Sequence, residues 1–359
     1  MVSKKISILG LGLIGGSIAK ALKSCSSSFY IKGFDKKEIL NIAASEKTID
    51  EKLNSVEDCL DSDIIFLCLP TAISLEFFVR LAPLLNAGTI LSDVCGVKGA
   101  FEDKWKQIKS KGIYIGGHPM TGKETNGYVN SDELLFENSV YVISDSVQDK
   151  IKLEEFLSVV NLLGARIRFL DPYLHDKVIS KVSHLPQLVA VSLVNTAAEN
   201  GDKINPLDFA AGGFRDMTRI ASSSFNVWES VLKLNQTEII LALQKLKEKL
   251  NQLEENLLSG NFESIEQSFD KARSRRDEIP KNAKGFLNPL VDVFIYVKDE
   301  PGVLSKLSTI MYKHNINIKD VELLKIREGT GGTFRVAFEN EEIAAIAKKL
   351  MEAAGFKTK

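Results

Sequence analysis

Two histidines and a pair of arginines stand in segments whose composition suits chemistry. His118 lies in Gly116-Gly117-His118-Pro119-Met120-Thr121-Gly122-Lys123-Glu124, where the glycines and the proline predict a tight, backbone-fixed turn. An imidazole titrates near neutrality, so a histidine held there can accept a hydroxyl proton while hydride leaves the same carbon. His184 lies in Ser183-His184-Leu185-Pro186. Pro186 has no N–H, which frees a carbonyl and bends the helix. The residues alone leave open whether His184 packs there or lines a substrate site. Arg215 and Arg219, in Gly212-Gly213-Phe214-Arg215-Asp216-Met217-Thr218-Arg219-Ile220, fall at i and i+4 on one predicted helical face. Such a pair suits bidentate contact with an anionic substrate. A fourth segment, Asp93-Val94-Cys95-Gly96-Val97-Lys98, follows a predicted strand. His175 and His314 have no comparable setting, and a structural or solvated role is expected for both.

These groups need a scaffold, and residues 5–35 define its first part. An apolar strand containing Ile6, Ile8 and Leu9 runs into Gly10-Leu11-Gly12-Leu13-Ile14-Gly15, then a helical pattern, then a second strand, Phe29–Phe34, ending in Asp35. This is a dinucleotide fingerprint: Gly10 for the tight turn, Gly12 for approach to a pyrophosphate, Gly15 for close helix packing. The helix start offers free N–H groups and a positive dipole end to the phosphates. Asp35 follows Gly15 by 20 residues, where a carboxylate accepts the ribose hydroxyls. Its charge favours NAD over NADP, although Lys36 and Lys37 follow it directly. Ligands of such sheets lie beyond the strand ends, which places Leu69, Pro70 and Asp93 beside the cofactor as well.

Lys4-Lys5, an apolar stretch and Ala19-Lys20-Ala21 imitate a secretory signal, but that reading leaves the glycine spacing and Asp35 unexplained. The four cysteines, Cys25, Cys59, Cys68 and Cys95, show no C-x-x-C spacing, so neither a disulfide framework nor a metal site is expected. With no membrane-length apolar run, a cytoplasmic protein without a membrane partner is expected. The 46 Lys and Arg nearly balance 47 Asp and Glu, so no basic field exists to attract nucleic acid.

The expected architecture has three parts. Residues 1–170 alternate short apolar strands with helical patterns, as in a doubly wound, Rossmann-type α/β domain, with strands at Asp63–Leu69, Gly88–Asp93, Ile113–Gly116, Val140–Ile143 and Arg166–Leu170. Residues 171–280 read as all-helical, with helices over Val178–Asn200, Val227–Leu234 and Thr237–Leu258. Leu243, Leu246, Leu250, Leu253 and Leu257 form a stripe on the last of these that suits either core or a homodimer interface. Residues 281–290 resemble a linker, within Pro280–Pro289. Residues 291–359 follow a β-α-β-β-α order with a short closing strand near Phe356–Thr358, a small α+β domain of ferredoxin-like plan.

Together, G-x-G-x-x-G, G-G-H-P-M-x-G, S-H-L-P and G-G-F-R-D-x-T-R-I over residues 5–280 resemble prephenate dehydrogenase of tyrosine biosynthesis. The last domain, with Asp299-Glu300-Pro301-Gly302-Val303-Leu304, resembles an ACT domain. The resemblance implies oxidative decarboxylation of prephenate to 4-hydroxyphenylpyruvate with NAD. His118 would take the proton of the C4 hydroxyl, Arg219 would hold a substrate carboxylate with Arg215 nearby, His184 would line the pocket, and Glu124 would lie near its entrance. Many members have serine where Gly96 stands, and its hydroxyl contacts the histidine and the substrate hydroxyl; a water or Ser92 is the candidate replacement. The ACT resemblance implies L-tyrosine as feedback inhibitor, bound around Asp299, Pro301, Gly302, Val303, Leu304, Asn315 and Ile316. Arogenate dehydrogenase is the alternative substrate assignment. A 3-hydroxyacid dehydrogenase with a lysine base, and a non-catalytic sensor of NAD and amino acid, are the alternatives beyond the family.

Overall fold

The computed structural model describes residues 4–25, 28–123, 125–199, 204–278, 290–327 and 331–358. Glu124 and, apart from Leu290, the expected linker lie outside them. The chain forms two compact units, residues 1–265 and 266–359.

In the first unit, β1 (Lys4–Leu9), β2 (Phe29–Phe34), β3 (Glu51–Lys52), β4 (Ile64–Leu67), β5 (Ile90–Asp93) and β6 (Ile113–Tyr114) make one parallel sheet in the order β3-β2-β1-β4-β5-β6. Both faces are covered, which is why these strands read as unbroken apolar runs. Ile6, Ile8, Ile64 and Phe66 pack with residues of helices α1 (Leu13–Cys25) and, further along the chain, Lys150–Asn161. Leu9, Ile65, Leu67 and Leu91 face the opposite core with Phe78, Leu81 and Phe101. All eleven of these side chains are withdrawn from water, each burial contributing roughly 1.5–3 kcal/mol.

The sheet does not continue as the sequence predicts. The chain leaves it after β6, and β7 (Gly117–Pro119) pairs antiparallel with β8 (Val140–Ser144), which pairs parallel with β9 (Arg166–Leu170) in a separate three-stranded sheet. Glycines make this exit possible. A Cβ on Gly117 would lie 2.8 Å from Tyr141 Cε1 and 2.9 Å from the Asp93 carbonyl oxygen. His118 is therefore carried at a junction between two sheets.

The helical region opens with Pro172–Ile179 and Leu185–Ala198, joined by a single π turn, Ser180–His184. The predicted helix over Val178–Asn200 thus begins earlier and is interrupted. Pro186 offers no N–H to Val182, and Leu185 N–H instead reaches back five residues to the Ser180 carbonyl. Phe225–Leu234 and the long helix Gln236–Leu258 complete this part of the unit. On that helix only Ile239 and Ala242 are buried, and Leu250 and Leu257 are exposed, so the leucine stripe is not core within one chain.

In the second unit, β10 (Val291–Val297), β11 (Asp320–Arg327), β12 (Gly331–Phe338) and β13 (Lys357–Thr358) form an antiparallel sheet in the order β11-β12-β10-β13. The helices Val303–Lys313 and Glu341–Ala353 contribute Leu307, Met311, Ala347 and Met351 to one core with Val293, Ile295, Val336 and Phe338.

Candidate active site

The dinucleotide turn has the shape its glycines predict. Gly10 has φ +98°, and a Cβ there would lie 2.8 Å from the Cys68 carbonyl carbon and 2.9 Å from Leu69 Cγ. A Cβ on Gly15 would come within 1.9 Å of the Gly10 oxygen, so α1 can seat against the turn only with glycine at that place. Among the described residues, nothing beyond its own chain neighbours comes within 4 Å of a Cβ placed on Gly12, leaving its backbone open to a ligand. Leu13 begins α1 and Ile14 packs partly into the core. Asp35 accepts Leu11 N–H at 2.6 Å and Lys36 N–H at 2.7 Å, which fixes its carboxylate at the end of β2 beside the turn. Pro70 is exposed and caps the next helix, Thr71–Leu81, accepting Ser74 N–H at 2.9 Å. An open glycine backbone, a helix start and a carboxylate beyond it fit the pyrophosphate and ribose of NAD.

Asp93 ends β5 but turns its side chain inwards. Its carboxylate is completely buried and engaged by the Lys98 ammonium, by Cys95 N–H at 2.8 Å and by Tyr114 O–H at 2.7 Å. Charge buried this deeply needs such partners, and the side chain has been turned inwards to meet them. Lys98 is 1% exposed and sits over the Phe101 ring as well. Burial pushes the Cys95 thiol up to about 12, so it stays protonated. Ser92 is also buried, with its Oγ directed at the Asp93 carbonyl, and does not replace the expected serine.

His118 projects from β7 towards Gly96. A Cβ on Gly96 would lie 3.7 Å from His118 Nε2 and 3.8 Å from its Cε1, so the glycine leaves space beside the ring nitrogen. The other nitrogen, Nδ1, is 2.8 Å from His175 Nε2, and His175 Nδ1 is 2.8 Å from Asp176 Oδ1. Burial, reinforced by His175, Lys98 and His184, holds the His118 pKa well below the ordinary histidine value. It is therefore a neutral ring at neutral pH, the form that accepts a proton. His175 is also lowered, chiefly by burial.

The π turn brings His184 into the same cluster. It is 2% exposed, its Nδ1 lies 3.2 Å from Asn235 Nδ2, and the Trp228 ring stands edge-on at 5.9 Å. Asn235 also donates to the Asp176 carbonyl at 2.9 Å, joining the end of Phe225–Leu234 to the first two helices. Burial brings the His184 pKa down to about 4. Because the Asn235 amide donates to Nδ1, the neutral ring carries its proton on Nε2 and presents a donor.

Arg215 lies on the short helix Gly212–Thr218, but that helix ends before Arg219, which opens a 3₁₀ turn, Arg219–Ser222. The two are thus not on one continuous α-helical face as expected. Both are exposed, and Gln187 anchors the turn by donating to the Ile220 carbonyl at 3.0 Å.

Three participants escaped the sequence. His175 was expected to be structural or solvated, yet it touches His118; Asp176 and Asn235 carried no expectation. Their signal was weak: an adjacent His-Asp pair has no distinctive spacing, and Asn235 meets His184 only through tertiary packing.

In the second unit, Asp299, Gly302, Val303 and Leu304 line a cavity of about 220 Å³ with Leu323 and Phe334. Pro301 lies in the turn before the helix; Asn315 and Ile316 lie beyond its other end, outside that cavity.

A parallel sheet with a glycine turn, and a neutral histidine at the neighbouring strand ends, define an NAD-dependent oxidoreductase. Family models for the prephenate dehydrogenase nucleotide-binding domain, its dimerization domain and the ACT domain match residues 18–169, 171–271 and 291–355. The chain belongs to the prephenate dehydrogenase family. The prephenate dehydrogenase of Lactococcus lactis is 35% identical over 98% of both chains, and that of Bacillus subtilis 31% identical over 97% of this chain and 95% of the relative. Among solved structures, prephenate dehydrogenase from Aquifex aeolicus in complex with hydroxyphenyl propionate and NAD+ superimposes with a TM-score of 0.71 at 28% identity, covering 78% of this chain and 99% of that one. No helix among the described residues is long and apolar enough to cross a membrane.

Proposed function

We propose that this enzyme converts prephenate to 4-hydroxyphenylpyruvate and carbon dioxide. The carrying observation is His118: neutral, braced on one ring nitrogen, with the other facing Gly96, which has no side chain to cover it. NAD, when bound, supplies the hydride acceptor. His118 takes the C4 hydroxyl proton through Nε2, His184 offers an N–H donor to the substrate, and Arg219 holds a substrate carboxylate with Arg215 beside the approach. As the ring carboxylate departs as carbon dioxide, its bonding pair moves through the ring to the C4 oxygen, which recovers the proton from His118; the aromatic ring so formed drives the step forward. Gly10, Leu11, Gly12, Leu13, Ile14 and Gly15 form the cofactor turn, Asp35 receives the ribose, and Leu69 and Pro70 border the site.

The exposed leucines and the match to a dimerization domain support a homodimer. Free Cys25, Cys59, Cys68 and Cys95 suit a reducing cytoplasm. L-tyrosine is the proposed inhibitor, with the Asp299–Leu304 cavity as its first point of contact.

The test is NADH formation by the purified chain with prephenate and arogenate in parallel, each with and without tyrosine. Faster NADH formation from prephenate, suppressed by tyrosine, is expected. Preference for arogenate would overturn the substrate, and no turnover of either despite NAD binding would overturn the enzymatic assignment. Removing residues 281–359 is expected to spare turnover and abolish tyrosine inhibition.

A further inference from the structure

Behind His118 the hydrogen bonds begin at the carboxylate of Asp176. Asp176 accepts Lys98 N–H at 2.7 Å and Gly99 N–H at 2.9 Å, at the start of the helix Gly99–Gln107. Each carboxyl oxygen thus already accepts a backbone N–H from the start of that helix. With both oxygens acting as acceptors, His175 donates to Oδ1 through Nδ1, 2.8 Å away. The neutral His175 ring then has an unprotonated Nε2, and His118 donates to it through Nδ1, also at 2.8 Å. The proton of neutral His118 is thereby placed on Nδ1, and its bare nitrogen is Nε2, the atom facing Gly96. The opposite tautomer would set two lone pairs against each other across the His118–His175 contact.

We propose that His175 and Asp176 are positioning residues that select the Nε2-accepting tautomer of His118 before substrate arrives. The inference rests on His118 being the base of the proposed reaction. It also gives the proton's charge a place to go. Once Nε2 is protonated, the imidazolium still donates through Nδ1 to His175, which spreads the charge towards Asp176. The other groups facing this line are Lys98 and His184 around His118, and Lys98 and Asp93 around His175. Lys98 is ion-paired with Asp93, and His184 is neutral at pH 7, so neither supplies a competing acceptor to His118 Nδ1.

The direct test needs no substrate. A long-range 15N–1H spectrum of the full chain with labelled histidine, assigned by the signals lost in H118N, reads the tautomer. At pH 8 it is expected to show His118 protonated on Nδ1 and bare on Nε2; a proton on Nε2 would overturn the proposal.

Two substitutions supply the kinetic test. His175→Gln places a carbonyl acceptor near the position of Nε2, whereas His175→Leu places none. The leucine variant is expected to lower kcat by about 10²-fold, with KM for NAD and prephenate within about twofold, and glutamine to restore about tenfold of that loss. Without its acceptor the imidazolium is less stable, so the acid limb of the kcat/KM profile moves to lower pH in the leucine variant. A purely structural role would instead lower rates evenly across pH in both variants. Should the leucine variant fail to fold, the tautomer in the unmodified protein decides. Failure to turn over prephenate at all would remove the substrate assignment while leaving the spectrum to judge the positioning role.

Discussion

Around His118 and around Arg335, ionisable groups are clustered under opposite conditions. In the first unit they are withdrawn from water: Asp93 0%, His175 0%, Lys98 1% and His184 2% exposed. On the sheet of the second unit, Arg335 donates to Asp292 at 2.9 Å and Glu322 at 3.0 Å and pairs with Asp320 as well, with the carboxylate side chains 35–52% accessible. Inside the protein, each proton is placed by a neighbour, because the low dielectric makes an unmatched lone pair or charge costly. At the surface, water screens the same kinds of pair, and the cluster mainly sets a local charge balance. The proposed chemistry therefore draws on the first cluster, and substitutions there should cost far more.

The largest effect is expected from His118→Asn. Loss of the base should lower kcat by ~10²–10⁴-fold while NAD affinity, measured by fluorescence titration, stays nearly unchanged. Equal losses in both would show that His118 supports the fold rather than the reaction. Next is Lys98→Met, which strips the buried cation from Asp93 and leaves that carboxylate with two neutral donors. A loss of about 3–5 kcal/mol in urea unfolding is expected. Lys98 also lowers the His118 pKa, so the acid limb of any remaining activity should move to higher pH.

Acid should expose the same contrast without mutation. His184 has a pKa near 4 in the folded chain, against roughly 6.5 when unfolded. Above 6.5 both states are neutral there and folding is unaffected. As pH falls from about 6.5 to 4 the unfolded chain takes up the proton that the folded chain resists, removing on the order of 3 kcal/mol. Thermal unfolding between pH 7 and 4 measures this, and His184→Gln should flatten the slope. An unchanged slope would mean that His184 is not the group responsible.

The contrast also explains what could be read from the sequence. Residues 10–15 and Asp35 were legible because close backbone approach restricts residue type at fixed spacing, and His118 because glycines and proline frame it. The parallel strands were legible because burial on both faces leaves an apolar run. The exit of β7 into a second sheet was not, since it depends on Tyr141 closing over Gly117 across 24 residues of chain. The inward turn of the Asp93 carboxylate was hidden for a similar reason. A strand-end carboxylate looks the same in sequence whether it faces a ligand or turns inwards to Lys98. Asp176 and His175 were hidden because their partners, Lys98, Gly99 and His118, come from distant segments.

A smaller effect is expected from Arg335→Ala. It leaves Asp292, Asp320 and Glu322 facing one another, but water screens them, and a loss of about 1 kcal/mol confined to unfolding of residues 266–359 is expected. Turnover without effector should be unchanged. A loss as large as that of Lys98→Met would erase the distinction between the two clusters.

Gly96→Ser should have the mildest consequence and sharpens the comparison from inside the first cluster. The added Cβ would stand 3.7 Å from His118 Nε2, ordinary contact distance, so no repacking is required. Its hydroxyl can donate to Nε2 in the free enzyme, which stabilises the neutral base, or accept from the protonated ring later in the reaction. Those effects oppose each other, and a change in kcat of no more than about threefold is expected, under 1 kcal/mol. The acid limb of kcat/KM is the sharper readout. If donation dominates, the limb moves to lower pH, because a hydrogen bond to the neutral form disfavours protonation. A tenfold or greater rise in kcat would mean that the space over Gly96 leaves His118 poorly oriented, and that bracing from His175 alone does not hold the ring for reaction.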